Sequence, residues 1–439
     1  MNLNNSPLAL IRQNATEVLD RPQDFDALLD AIGNCRFVLL GEASYGTHEF
    51  YKTRAQITTR LIEEKGFGAV AVEADWSDAY RVNRYVRSIG DDPDPMSGLG
   101  DFLRFPRWMW RNTDVADFIS VLKYYNEGKT AEKQVGFYGL DLYNMYASID
   151  KVIGYLDEVD SREAQKVRRY YSYFDLYDHA KEKNAMSIVL TEDCQRKIVV
   201  QLEELRKNSI KYMKNGGFIL KEEQFVTEQY ARVAHTDEQY YKNMFSGRVS
   251  CWNQRDKNMA DTLDALAGYL KQYREPKIVV WGHNSHIGDA RSTEVSLFGR
   301  LNLGQLVRER YKDEVYLIGF TTHSGTVTAA SFWGEAVQRK NINLSTAESF
   351  EHLFHRSEIP SFYLNLRDNK QLPFLANQHL ERAIGVVYMP ELERQNHYFR
   401  ASLSGQFDAV IHFDKSIAVQ PLDHISGWEE GLDSYRSAL

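Results

Sequence analysis

The sequence predicts an α/β fold, with a mainly parallel central sheet flanked by helices and a large helical insertion. Three observations predict it. Short runs that are apolar throughout recur along the chain, the first of them are separated by segments of helical periodicity, and a long middle stretch has no strand-like run. Runs without polar alternation suit strands covered on both faces, as in a parallel sheet between layers of helix. Strands alternating with helices are the α/β pattern.

In order, the candidate strands are Phe37–Leu40, Ala69–Val72, Val135–Tyr138, Ile278–Trp281, Val315–Phe320, Ser361–Leu364, Ala383–Tyr388 and Ala409–His412. Between the first two, Ile57, Leu61 and Ile62 fall on one side of a helix over Ala55 to Lys65. From about Tyr146 to Arg274 the chain is rich in Glu, Lys, Gln, Leu and Tyr, as in Gln195 to Lys214 and Ala260 to Gln272, with breaks at Gly216-Gly217 and Ser246-Gly247. The expected organisation is residues 1–145 as the first part of the core, 146–275 as a helical insertion or lid, and 276–439 as the second part of the core.

Composition narrows the function. The 439 residues include 53 Lys plus Arg and 61 Asp plus Glu, a formal charge of −8. Polyanions and anionic lipid surfaces are bound by clustered positive charge, so neither nucleic acid nor membrane is an expected partner. With 43% apolar residues and only 10 prolines the chain is built to bury a core. Cys35, Cys194 and Cys251 lack the spacing of a zinc site or a disulfide framework, and the N-terminus lacks a basic head and an apolar leader. No apolar run approaches the length of a membrane span. These features read as a cytoplasmic protein.

The tips of the strands are more informative. Leu40 is followed by Gly41-Glu42, Val72 by Glu73-Ala74-Asp75, Tyr138 by Gly139-Leu140-Asp141, and Trp281 by Gly282-His283-Asn284-Ser285-His286. Ligands of open parallel sheets bind beyond the carboxyl ends of the strands, so these tips are expected to share one cleft. Carboxylates and imidazoles on one edge are the raw material of general acid–base hydrolysis. Taken singly, each has a plainer reading: a Glu after a strand favours a helix N-terminus, and the His283/His286 spacing equally suits a turn or two metal ligands.

The residues also carry a family likeness. Gly41-Glu42-Ala43-Ser44-Tyr45-Gly46-Thr47-His48-Glu49-Phe50 resembles the opening signature of the erythromycin esterase family, and further blocks come in that family's order: Val72 to Trp76, Arg104 to Asn112, Gly136 to Asp141, Trp252 to Asp256, Gly282 to His286 and Gly304 to Leu306. In particular the chain resembles Bacillus-type members labelled succinoglycan biosynthesis proteins. The resemblance implies a hydrolase that opens macrolide lactones, or related esters, with water activated at a histidine and without an obligatory metal or other cofactor. It implies catalytic roles for Glu42, Arg54, Glu73, His283 and His286. The family's first signature usually ends in His-Gly, and here Tyr45 stands in that histidine's place. A phenol near pKa 10 is a poor base where an imidazole near 6.5 is a good one. Tyr45 is therefore expected either to donate to a developing oxyanion or to mark weakened activity.

Arg104 to Arg111 interleaves arginines with Trp108 and Trp110, which suits either the wall of a pocket for a large apolar ligand or a surface helix whose tryptophans enter the core. The pocket reading makes Arg107, Trp108, Trp110 and Arg111 substrate-binding, and the resembling blocks add His48, Trp76, Tyr138 and Asp141. Arg255-Asp256 reads as a structural ion pair or helix cap. Three functions stand at this point: a metal-independent hydrolase of a small-molecule ester or lactone, a metal-dependent hydrolase using Glu42, Glu73, His283 and His286, and a binding protein that has lost its base.

Overall fold

The computed structural model describes residues 6–141, 248–367 and 371–424, together with residues 157, 162, 165, 225, 229 and 428. Eleven strands occur among them: β1 (Thr16–Glu17), β2 (Phe37–Leu40), β3 (Ala69–Asp75), β4 (Gly136–Asp141), β5 (Ile278–Trp281), β6 (Val315–Ala329), β7 (Gln338–Ile342), β8 (Ser361–Asn365), β9 (His379–Arg382), β10 (Tyr398–Ala401) and β11 (Ala409–Ser416). The main sheet runs β1-β8-β11-β6-β2-β5-β3-β4, with β7 paired to β6. From β11 to β4 every neighbouring pair along it is parallel; β8 and β1 add an antiparallel edge.

Alternate residues of the central strands enter two different cores. Val38, Leu40, Val70, Val72, Val279 and Trp281 face one layer, and Phe37, Leu39, Ala69, Ala71, Ile278 and Val280 face the other. Both faces are dry, so the strands read as unbroken apolar runs. The first layer holds the helices Asp26–Ile32, His48–Lys65 and Thr113–Asn126, through residues such as Leu29, Ile57 and Ile119. The second holds Pro7–Asn14, Arg248–Leu270, Leu303–Tyr311 and Phe350–His355. Local chemistry sets their ends: Asn112 Oδ1 caps Val115 N–H at 2.9 Å, Asn302 Oδ1 caps Gln305 N–H at 3.0 Å, and Gly66 (φ +71°) closes His48–Lys65 in the left-handed conformation. Truncating a residue such as Leu39, wholly buried, costs about 2–5 kcal/mol.

Two expectations need correction. Ala383–Tyr388 is not a strand but a buried crossing segment, with isolated bridges from Ile384 to Ser44 and from Val387 to Ala330. It is apolar because it is buried, and its backbone is satisfied piecemeal: Ile384 N–H donates to Ala43 O at 2.8 Å and Tyr388 N–H to Ala330 O at 2.9 Å. The run Val315–Phe320 continues as strand through Thr321, Thr322 and His323 to Ala329, because β11 and then β7 pair with its polar half. Of the expected insertion, Gln195 to Lys214 lies outside the described residues, while Ala260 to Leu270 belongs to the helix Arg248–Leu270.

Candidate active site

Register brings the strand tips together. Leu40 is level with Trp281 and Ile318, and Val72 is level with Trp281 and Gly139. The chain therefore leaves the sheet from one edge at each of these strands, with the β5 tip between those of β2 and β3. Gly41 is required for this closeness, since a Cβ there would lie 2.1 Å from Asn284 Oδ1.

Glu42 is buried and meets Arg54 in a bidentate pair, at 2.9 and 3.0 Å. Arg54 comes from the helix His48–Lys65, on the inward stripe with Phe50, Ile57 and Leu61, and its guanidinium lies 4.8 Å from the Trp281 ring centre. Burial drives the Glu42 carboxyl up, Arg54 pulls it down and Glu73 adds to the rise, with a balance of about 7.

Glu73 is the hub. Its Oε1 accepts from Tyr45 Oη at 2.9 Å and from Arg255 Nη2 at 2.9 Å, with His286 Nε2 at 3.3 Å. Its Oε2 accepts from the His283 backbone N–H at 2.9 Å. Burial opposes the charge, but His286, Arg255 and the His283 N–H outweigh it and hold Glu73 at about 2. Such a carboxylate stores negative charge and makes a poor base.

The two histidines differ. His286 Nδ1 meets both Asp256 oxygens, at 2.9 and 3.0 Å, and its ring stacks on Trp252 with centres 4.3 Å apart. Burial lowers its pKa, yet Asp256 and Glu73 more than reverse this and raise it above the ordinary value. His283 places Nδ1 2.8 Å from Ser285 Oγ and accepts there from the Ser285 N–H at 3.3 Å, its ring centre is 4.7 Å from that of Tyr45, and its buried Nε2 bonds no side chain. Burial lowers it to about 4, Glu73 pulling the other way. At neutral pH His283 is an uncharged imidazole.

Sequence reasoning assigned Arg255 and Asp256 a structural role together; the structure gives them separate partners inside the cluster. Arg255 donates to Asp141 Oδ2 at 2.8 Å and to Glu73. Asp256 holds His286 and also accepts from Leu303 N–H at 2.7 Å, at the start of the helix Leu303–Tyr311. The signal was present: Arg255 and Asp256 interrupt the apolar stripe Trp252, Met259, Leu263, Leu266 of one helix, and charge on a buried face demands partners.

The expected pocket residues divide. Arg107 and Trp110, with Asp141, line a cavity beside Glu73 that offers about 40 Å³ to water. Trp108 is buried in the first core. Arg111 pairs with Asp423 at 2.9 Å and donates to Leu99 O, fastening the chain near its C-terminal end. Trp76 and Tyr138 stack together, centres 6.0 Å apart, in the second core. His48 opens the helix His48–Lys65, pairs with Asp114 at 2.8 Å and lines a separate cleft with Lys52 and Phe118. Their positions follow from strand parity and helix phase, which send neighbours in sequence to opposite faces. Among the described residues no three His, Cys, Asp or Glu side chains stand as ligands of one metal ion would, and no helix is long and apolar enough to cross a membrane.

A parallel sheet thus gathers two carboxylates, a phenol and two imidazoles, all groups able to exchange protons, at its carboxyl edge. The chain belongs to the erythromycin esterase family, whose model matches residues 62–416. It is 23% identical over 434 residues to an erythromycin esterase type II of Escherichia coli, covering 90% of this chain and 93% of that one. It is also 23% identical over 423 residues to a putative hydrolase, YbfO, of Bacillus subtilis (strain 168), covering 91% and 88%. Among solved structures it shares its fold with a succinoglycan biosynthesis protein (TM-score 0.65, 21% identity, 96% of this chain and 100% of that chain). It shares it too with a mutant of the erythromycin esterase EreC in its open conformation (TM-score 0.58, 17% identity, 94% and 99%).

Proposed function

We propose that this protein hydrolyses a carboxylic ester or lactone with water, His283 acting as the general base. The observation that carries the reading is the placing of His283, a buried imidazole whose Nε2 bonds no side chain, directly beside the Glu73 carboxylate that takes its backbone N–H. At rest Nδ1 accepts from the Ser285 N–H at 3.3 Å; in the reacting tautomer Nδ1 carries the proton and turns it to Ser285 Oγ, 2.8 Å away, and the Nε2 lone pair takes a proton from water as the oxygen attacks the carbonyl carbon. Glu73 stabilises the imidazolium that forms, and the same proton then goes to the departing alkoxide. Tyr45, Arg255 and His286 supply donors and positive charge for the oxyanion. An imidazole held near 4 is a weak base, so turnover is slow. The test is turnover of an ester and lactone panel, macrolides included. His283→Ala should lower it by about 10²–10⁴-fold, and unchanged turnover rejects the assignment.

One observation favours a second reading, a small-molecule binding protein without turnover: Tyr45, at the family's usual histidine position, donates a hydrogen bond to Glu73. Binding of panel compounds without hydrolysis would select it.

A further inference from the structure

Gly304, in a block of sequence outside the cluster, packs against the turn that carries His283 and His286. A Cβ there would lie 1.9 Å from Ile287 O, so only glycine lets the helix Leu303–Tyr311 begin directly against that turn. The turn contains the short helix Asn284–Ile287, whose last carbonyls need partners from outside it. Buried Asn302 supplies them: Nδ2 donates to Ser285 O at 2.9 Å and to Gly288 O at 2.6 Å. Its Oδ1 accepts from Gln305 N–H at 3.0 Å and from Ala290 N–H at 3.2 Å. A side-chain amide has two donors and two acceptor sites, and here all four are in use. The next residue reaches the other half of the cluster. Leu303 N–H donates to Asp256 Oδ1 at 2.7 Å, and the same oxygen lies 2.9 Å from His286 Nδ1. Asp256 and His286 stand 30 positions apart, on the helix Arg248–Leu270 and on the turn after β5. Two consecutive residues thus hold both members of the pair, the histidine by its backbone and the aspartate by its carboxylate.

We propose that Asn302 is a positioning residue for His286: its amide locks the turn against the start of the helix Leu303–Tyr311, so that Asp256 and Glu73 meet the two ring nitrogens at once. The groups facing the ring are Asp256 at Nδ1, Glu73 Oε1 at 3.3 Å and Arg255 Nη1 at 3.1 Å from Nε2, and the Trp252 ring on its face. All of them are buried, so a turn that slips loses these contacts without gaining water in their place. Capping the helix does not by itself call for asparagine, since serine and aspartate cap as well. Neither can hold two carbonyls, because serine has one donor on a shorter arm and an aspartate carboxylate has none. That the locked ring serves turnover rests on the hydrolase reading; the locking itself does not.

The test separates clamp from cap in the full chain. Asn302→Ala removes both, whereas Asn302→Ser keeps the cap and should recover most of the Tm that Asn302→Ala loses; Asn302→Thr is the second variant if the serine form folds poorly. The readout that a cap alone would not move is the His286 titration, followed by NMR of the histidine ring Cε1–H signals and assigned with His286→Gln. Burial lowers the His286 pKa, and Asp256 and Glu73 outweigh it. With the clamp gone the midpoint should fall by about one pH unit or more in Asn302→Ser. In an ester and lactone panel kcat should fall by about 10- to 100-fold, with KM within about twofold. A wild-type midpoint in the serine form, or a wild-type kcat in an enzyme that turns over, would overturn the proposal and leave the hydrolase reading standing. A lowered midpoint in a protein that hydrolyses no ester would keep the positioning of His286 and reject the hydrolase.

Discussion

The Tyr45 hydroxyl donates to Glu73 Oε1 at 2.9 Å, inside a cluster where that carboxylate also takes Arg255 and the His283 backbone N–H. A phenol in this position is a donor and not a base, because its proton is already committed to a stabilised anion. Tyr45→Phe should destabilise the fold by about 1.5–3 kcal/mol, the range for a hydrogen bond to a charged group, measured by urea unfolding. If the hydroxyl turns to the oxyanion during reaction, the same change lowers kcat by about 10²–10³-fold. Tyr45→His should raise turnover of a suitable lactone; a Tyr45→His form no faster than wild type would show that this position does not limit the reaction.

The pH dependence of turnover should follow His283. With His283 as the proposed base its neutral form is the active one, so activity should be full at neutral pH and fall as pH drops through about 4. A rate profile on an acid-stable ester, with unfolding followed in parallel, checks this. An inflection near the ordinary imidazole value of about 6.5 would point to another base.

Breaking the Glu42–Arg54 pair should be costly and asymmetric. An orphaned buried charge costs about 3–5 kcal/mol. Glu42→Gln leaves a guanidinium that cannot shed its proton, whereas after Arg54→Met the Glu42 carboxyl, already near 7, can take one up. Glu42→Gln is therefore the more destabilising at neutral pH. Denaturant unfolding of both variants decides, and the opposite order contradicts the argument.

The contribution of the buried histidines to stability should fall in mild acid. His283 and His323 stand at about 4 and His397 at about 3, each lowered first by burial. Their unfolded forms titrate near 6.5, so the unfolded chain takes up protons first. Their contribution is full above about 6.5 and declines towards 4, with a slope of up to about 1.4 kcal/mol per pH unit for a buried group such as His397. His286, raised on balance, acts oppositely: its contribution is present below 6.5 and lost as pH rises through its folded value. Glu42, raised to about 7, also acts oppositely, so the measurement is a difference: the urea midpoint of the wild type relative to that of His397→Leu should fall as pH drops from about 6.5 towards 4.

How much of this was legible in the amino-acid order depends on the length scale of each interaction. Burial on both faces forces central strands to be apolar throughout, so Phe37–Leu40 and Ile278–Trp281 can be read from local pattern alone. The rule that parallel strands end on one edge then carries Glu42, Glu73, Asp141, His283 and His286 to a common place. The limits of the same reasoning show at Ala383–Tyr388, where a buried crossing segment is as apolar as a strand. Only the tertiary structure decided that β5 lies between β2 and β3, placing the His283 turn against Glu73. It also decided that Arg255 closes on Glu73 across 182 positions and that Trp108, Trp76 and Tyr138 pack into cores. Periodicity records which face of an element is dry; which charged group meets which, across such separations, is set by strand order and helix phase, and these exist only once the chain has packed.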